Sequence, residues 1–138
     1  MGKIEAICIS EKRGTVKYTV EKAMLIEDFG IEGDAHAGKW HRQVSLLALE
    51  KSGLFHQAPG AFGENLLVTG FDLSGLPTGT RLQCGEAILE ITQIGKECHS
   101  HCEIYKRTGD CIMPREGVFA IVKRGGCIRV GDSVEILF

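Results

Sequence analysis

The chain of 138 residues has the size of one domain, large enough to bury a core without disulfide staples. Its 16 basic and 18 acidic residues leave a net charge of −2, so no global field draws it to nucleic acid or to an anionic membrane, and any anion site must be local. No run approaches the roughly 18–20 apolar residues of a membrane helix, and the opening MGKIEAICIS has only a short apolar run broken by Glu5, so no secretory signal is expected. The expectation is a soluble, cytoplasmic protein whose six cysteines remain thiols.

Eighteen glycines against three prolines punctuate many short runs rich in β-branched residues. This predicts a mainly β chain with a few short helices, closed into a barrel that leaves few exposed edges. Residues 4–10 mix alternation with a continuous apolar stretch, as suits a strand covered on both sides or partly so. Residues 15–27 read as one or two strands. Residues 29–43 then place three glycines, His36, His41, Asp34 and Arg42 in one short loop, either a tight connection with solvated histidines or a shaped binding surface.

Residues 44–49 resume a buried strand, and residues 49–56 have the pattern of a short helix that needs tertiary support. Glu64-Asn65 stands between glycines and the apolar run from Leu66, as a turn pair or as a ligand contact offering an acceptor and a donor–acceptor amide. Residues 76–91 predict a strand, a Gly85-Glu86 turn and a second strand. Residues 129–137 repeat that plan around Gly131-Asp132, which predicts one local hairpin used twice. Cys8 and Cys84 fall in apolar runs and read as small core residues, and Cys127 at a turn reads as structural.

The stretch most suited to chemistry is residues 95–117, GKECHSHCEIYKRTGDCIMPREG. Cys98, Cys102 and Cys111 stand there with His99, His101, Lys96, Lys106, Arg107 and Arg115, between two strand-like runs. Neighbouring positive charge favours thiolate over thiol, so this sulfur is suited to nucleophilic attack or to binding a soft metal.

Taken together, Gly30-Ile31-Glu32-Gly33-Asp34-Ala35-His36, Arg42-Gln43-Val44-Ser45-Leu46-Leu47, Gly63-Glu64-Asn65-Leu66, Cys98, Gly117-Val118-Phe119-Ala120 and Gly131-Asp132 resemble the MOSC domain family over nearly the whole chain. The family is named for the C-terminal part of molybdenum cofactor sulfurases. The resemblance implies a single MOSC-like barrel whose cysteine ligates the molybdenum of a pterin cofactor or carries sulfur as a persulfide. Larger relatives fuse such a domain to a pyridoxal-phosphate cysteine desulfurase region, and others reduce N-hydroxylated compounds. This chain has no room for the desulfurase module, so pyridoxal phosphate would come with a partner, a cysteine desulfurase or another protein of molybdenum cofactor maturation.

The family cysteine falls best on Cys98, as nucleophile or metal ligand, with Cys102 or Cys111 able to resolve a persulfide by disulfide exchange. Arg42, Lys96 and Arg115 are the expected partners of the cofactor phosphate, and His36, Glu64 and Asn65 of the pterin's polar edge. Two other classes remain open. Cys98, Cys102 and Cys111 with His99 or His101 could complete a zinc site in a small binding module, although paired C-x2-C knuckles are missing. A barrel used only as an interaction scaffold is the third class.

Overall fold

The computed structural model describes residues 2–12, 16–49, 59–60, 63–70, 72–95 and 117–137. Eleven strands are formed by these residues: β1 (Gly2–Ile9), β2 (Tyr18–Val20), β3 (Lys22–Ile26), β4 (Gly30–Ile31), β5 (Val44–Ala48), β6 (Leu66–Thr69), β7 (Arg81–Cys84), β8 (Ala87–Ile94), β9 (Val118–Arg124), β10 (Gly126–Arg129) and β11 (Ser133–Leu137). Leu73–Gly75 forms a 3-10 turn. The helix expected over residues 49–56 lies outside the described residues, apart from Leu49.

The main sheet runs β11-β7-β8-β9-β5-β6-β1-β2, and β11 also pairs with β1. That second pairing closes seven strands into a barrel and leaves β2 outside it as an edge strand. The closed barrel is what the glycine-punctuated short runs led one to expect; that it is mixed, with β5 and β6 parallel and their barrel neighbours antiparallel, is seen only in the structure. A second sheet, β10-β3-β4, packs beside it.

The barrel interior is filled from every strand by residues such as Ile4, Leu46, Leu66, Leu82, Leu89, Ile91, Val118 and Val134. Burying each such side chain contributes about 1.5–3 kcal/mol. A smaller cluster of Ala6, Cys8, Leu47, Leu67 and Phe119 lies on the opposite face of β1, β6, β5 and β9. The alternation of Leu46 and Leu47, both fully buried, requires this second layer, because successive strand residues point to opposite faces. It also explains the mixed pattern of β1. Glu5 is exposed in its first half, whereas Ala6, Ile7 and Cys8 are all buried in its second. The register shifts between Ile4 and Ala6 mark a bulge where one regime gives way to the other.

Residues 15–27 resolve into two strands in two sheets, β2 against β1 and β3 against β10 and β4. The hairpin expected twice is formed once. β7 and β8 pair across the Gly85-Glu86 turn, but β10 pairs with β3 while β11 pairs with β1 and β7. The Gly131-Asp132 turn therefore passes the chain between sheets. The two sequences agree in their turn chemistry, and turn chemistry does not dictate which sheet the incoming strand joins.

Gly60 locks the ends of two loops together. Its amide donates to Glu64 Oε2 at 2.8 Å, its carbonyl accepts from Lys17 N at 2.9 Å, and its φ is +86°. A Cβ here would stand 2.2 Å from the Lys17 carbonyl oxygen. Gly60→Ala is therefore expected to destabilise the protein by about 2 kcal/mol or more, read from the urea midpoint at unchanged slope.

Candidate functional site

The loop of residues 30–43 lies over the outer face of the barrel, and its form follows from a few fixed points. Gly30, at φ +130°, sits where a Cβ would meet the Gln43 carbonyl at 2.8 Å, so the two ends of the loop close tightly on each other. Gln43 is fully buried and anchors the far end, accepting from Val122 N at 2.9 Å and donating to Asp28 Oδ1 at 3.2 Å. Between them, Ala35 N donates to the Ser10 carbonyl at 2.8 Å and Gly38 N to that of Phe29 at 2.7 Å.

Asp34 and Lys17 form a fully enclosed ion pair beneath this loop, Nζ to Oδ1 at 2.8 Å, with both side chains at 0% exposure. Asp34 also accepts from Ser10 N at 3.0 Å and His36 N at 3.1 Å. Burial alone would push its carboxyl up, but the hydrogen bond and charge of Lys17 outweigh it and hold Asp34 below its usual value. Burial draws the Lys17 ammonium below its usual value, against the pull of Asp34.

From this base the chain presents His36, Trp40, His41 and Arg42 in succession. The His36 and Trp40 rings are parallel within 1° at 6.2 Å, and Trp40 Nε1 donates to the His36 carbonyl at 2.7 Å. The Arg42 guanidinium stands 5.9 Å from the Trp40 ring centre and 5.3 Å from that of Phe119. Arg42 Nε donates to Gln93 Oε1 at 3.2 Å, and the same oxygen lies 2.9 Å from His41 Nε2. Gln93 in turn donates to the Gly95 carbonyl at 2.8 Å. Gly95 N bonds the Gly117 carbonyl at 2.6 Å and thereby closes the root of segment 96–116.

The barrel thus brings Arg42, His41 and His36 onto one surface with the foot of the cysteine-rich segment. Cys98, Cys102, Cys111, Lys96 and Arg115, with His99 and His101 of the zinc alternative, lie outside the described residues. Among the described residues no group of three potential metal ligands converges.

Glu64 and Asn65 are placed differently. Both are fully buried. Asn65 Oδ1 accepts from Ser45 N at 2.9 Å and Ser45 Oγ at 3.1 Å, and its Nδ2 donates to the Cys8 carbonyl at 3.0 Å. With both ends of its amide engaged inside the protein, Asn65 braces β1 against β5 and β6. Glu64 caps the Gly60 amide. Each holds the frame behind the surface instead of standing on it.

Lys17, Trp40 and Gln93 join the site without any signal in the sequence pattern. Lys17 sits in a run that reads as sheet, and Gln93 is one polar residue near the end of a strand. Only the register, which sets Gln93 opposite Phe119, brings it under Arg42. A cavity of about 720 Å3 elsewhere, lined in part by Glu5, Thr19, Lys22 and Arg129, contains none of these residues.

The family model for the MOSC domain matches residues 32–135, spanning the loop, the segment and the closing strands. The chain belongs to the MOSC domain family. Comparison with curated proteins finds no match. Among solved structures, the YuaD protein from Bacillus subtilis is similar at a TM-score of 0.82 and 22% identity, covering 99% of this chain and 96% of that one. YiiM from Geobacillus stearothermophilus aligns at 0.77 and 16% identity over 100% of this chain and 76% of its own. YiiM from Escherichia coli aligns at 0.68 and 20% identity over 99% and 70%. These likenesses establish the MOSC barrel. No described helix of this MOSC domain is long and apolar enough to cross a membrane.

Proposed function

We propose that this MOSC domain holds a molybdenum–pterin cofactor, or sulfur destined for it, on the surface formed by His36, His41 and Arg42, next to Gly95 and Gly117, with a cysteine of residues 96–116 as the working sulfur. The observation that carries the reading is Arg42. Its guanidinium is flanked by Trp40 and Phe119 and fixed through Nε to Gln93, while its Nη groups make no hydrogen bond among the described residues. A guanidinium so oriented, at the foot of a cysteine-rich segment, suits a phosphate, because two N–H groups can meet two oxygens at once. The residues present therefore fit an anionic pterin ligand. Arg42 would take the phosphate, His36 and His41 polar atoms of the pterin, and Lys96 or Arg115 further negative charge.

The sulfur is narrowed by chemistry. A thiolate is needed both to attack a donor persulfide and to ligate a soft metal. Burial, then the Glu64 carboxylate, pushes the Cys8 thiol up to about 12, and burial does the same for Cys84. Neither supplies a thiolate near neutral pH. Cys127 belongs to β10 in the second sheet. Cys98, Cys102 and Cys111 remain, and Cys98 is the assignment that the family pattern favours.

A bound molybdenum centre would supply oxygen-atom or electron transfer, and the chain's own part is to bind it, orient it and keep a thiolate at hand. In the sulfur-carrier version, the Cys98 thiolate attacks the outer sulfur of a donor persulfide. The donor's S–S bond breaks and its sulfur leaves as thiolate. The donor is then a cysteine desulfurase carrying its own pyridoxal phosphate, and the acceptor a cofactor-maturation protein, in a cytoplasm where thiols stay reduced.

The test is cofactor and persulfide retention across cysteine variants. Cys98→Ser is expected to lose both, and Cys127→Ser to keep whichever the wild type carries. Retention unchanged in Cys98→Ser contradicts the assignment of that sulfur.

A further inference from the structure

Strand β8 carries a bulge where it passes the candidate site. Ile91 pairs with Ala120 and Gln93 with Phe119, so two steps along β8 match one step along β9, and Thr92 is the extra residue. Without it Gln93 would share the face of Ile91 and point into the barrel interior, because residues two apart in a strand lie on one side. With it Gln93 joins Phe119 on the outer face, beside Arg42. There its amide has one orientation. Arg42 Nε can only donate and the Gly95 carbonyl can only accept, so the amide oxygen faces Arg42 at 3.2 Å and the amide nitrogen faces Gly95 at 2.8 Å. The same oxygen lies 2.9 Å from His41 Nε2. An amide oxygen has no hydrogen to give, so Nε2 must carry one, and the neutral ring keeps its lone pair on Nδ1.

We infer that Gln93 is a positioning residue, aimed by this bulge, whose one uncharged oxygen orients Arg42 and His41 together and leaves the guanidinium its full charge for an oxyanion. An aspartate or glutamate in the same place would occupy the guanidinium fork and cancel its charge. A neutral amide accepts from Nε without competing for the Nη groups. The carboxylates of Asp34 and Glu90 are engaged with Lys17 and Arg81, and none of the described carboxylates pairs with Arg42. Gln93 is in turn tied to Gly95, whose amide bonds the Gly117 carbonyl, so Arg42 keeps its place relative to the root of segment 96–116. The orienting role stands on these bonds alone. That the oxyanion is the cofactor phosphate rests on the reading given under Proposed function.

Long-range 1H–15N correlation spectra of the 15N-labelled protein, recorded at a pH where His41 is neutral, distinguish a ring nitrogen that carries hydrogen from one that presents a lone pair. His41 is expected to show hydrogen on Nε2 alone, and to gain a share of the Nδ1–H form in Gln93→Met, where the oxygen is gone. A wild-type ring with hydrogen on Nδ1, or a tautomer unmoved in Gln93→Met, overturns the orienting role. The charge requirement is read from the molybdenum and pterin content of anaerobically purified Gln93→Glu and Gln93→Met, beside their urea midpoints. Both lose the bond to Gly95, but Glu keeps an acceptor for Arg42 and His41, so a purely structural role ranks Glu above Met on both scales. The inference predicts a Glu midpoint no lower than that of Met, together with about tenfold less retained cofactor. Retention by Glu equal to or above that of Met overturns it. A wild type that retains no cofactor sinks the functional reading instead, and the tautomer still decides whether Gln93 orients the pair.

Discussion

Replacing Asp34 with Asn is expected to lower stability by about 3–5 kcal/mol, the cost of leaving a buried charge without its partner. The Lys17 ammonium would remain enclosed, with an amide where a carboxylate stood. It escapes part of the penalty by giving up its proton, a step that burial already favours. Adding Lys17→Met should recover much of the loss, because the second change removes the stranded charge. Recovery will be incomplete, since Asp34 also accepts from the backbone amides of Ser10 and His36. Urea midpoints of the two single variants and the double variant measure this coupling, and strict additivity would contradict it.

The same pair sets an acid limit. Asp34 is held below its ordinary value, so its contribution is fully present above the unfolded carboxyl's range and fades as pH falls through the lowered folded value. The wild type should therefore lose stability below about pH 4 more steeply than Asp34→Asn does. Parallel acid limbs would show that the pair has no part in that loss.

Arg42→Met is expected to reduce retention of the molybdenum–pterin cofactor by about tenfold to a hundredfold, the value of a charge-assisted forked contact to phosphate. The unfolding midpoint should scarcely move. Arg42 is half-buried, and Met keeps much of its aliphatic packing against Phe119. Arg42→Lys keeps the charge but not the planar fork, so it should fall between the two. Full retention in Arg42→Met would remove the observation on which the proposed function stands.

The barrel was legible because its signal is repeated. Glycine-bounded β-branched runs recur along the chain, and even the doubly covered half of β1 shows in the sequence as a failure of alternation. The pairing of β10 with β3 was not legible, because nothing in Gly131-Asp132 distinguishes a hairpin turn from a crossing between sheets. At the site, Arg42, His36 and His41 stood out as charge and imidazole inside a glycine-rich loop. Glu64 and Asn65 stood out for the same polar character, yet their chemistry is spent on the Gly60 amide, Ser45 and the Cys8 carbonyl. Residue type announces that a group must be satisfied, and only three-dimensional placement tells whether protein or ligand satisfies it. Lys17 shows the converse. A lysine within a strand-like run reads as surface, until Asp34, Ser10 and His36 arrive from other parts of the chain to enclose it.

The proposed function needs a reactive sulfur and an anion-binding arginine, and the as-purified protein tests it most directly. Expressed in a host that makes the cofactor and purified without oxygen, the wild type should contain molybdenum and pterin together, or an added mass of about 32 Da for a persulfide sulfur on Cys98. Elemental analysis and intact mass read both outcomes in one preparation. A wild-type protein carrying neither metal, pterin nor added sulfur under those conditions would contradict the account.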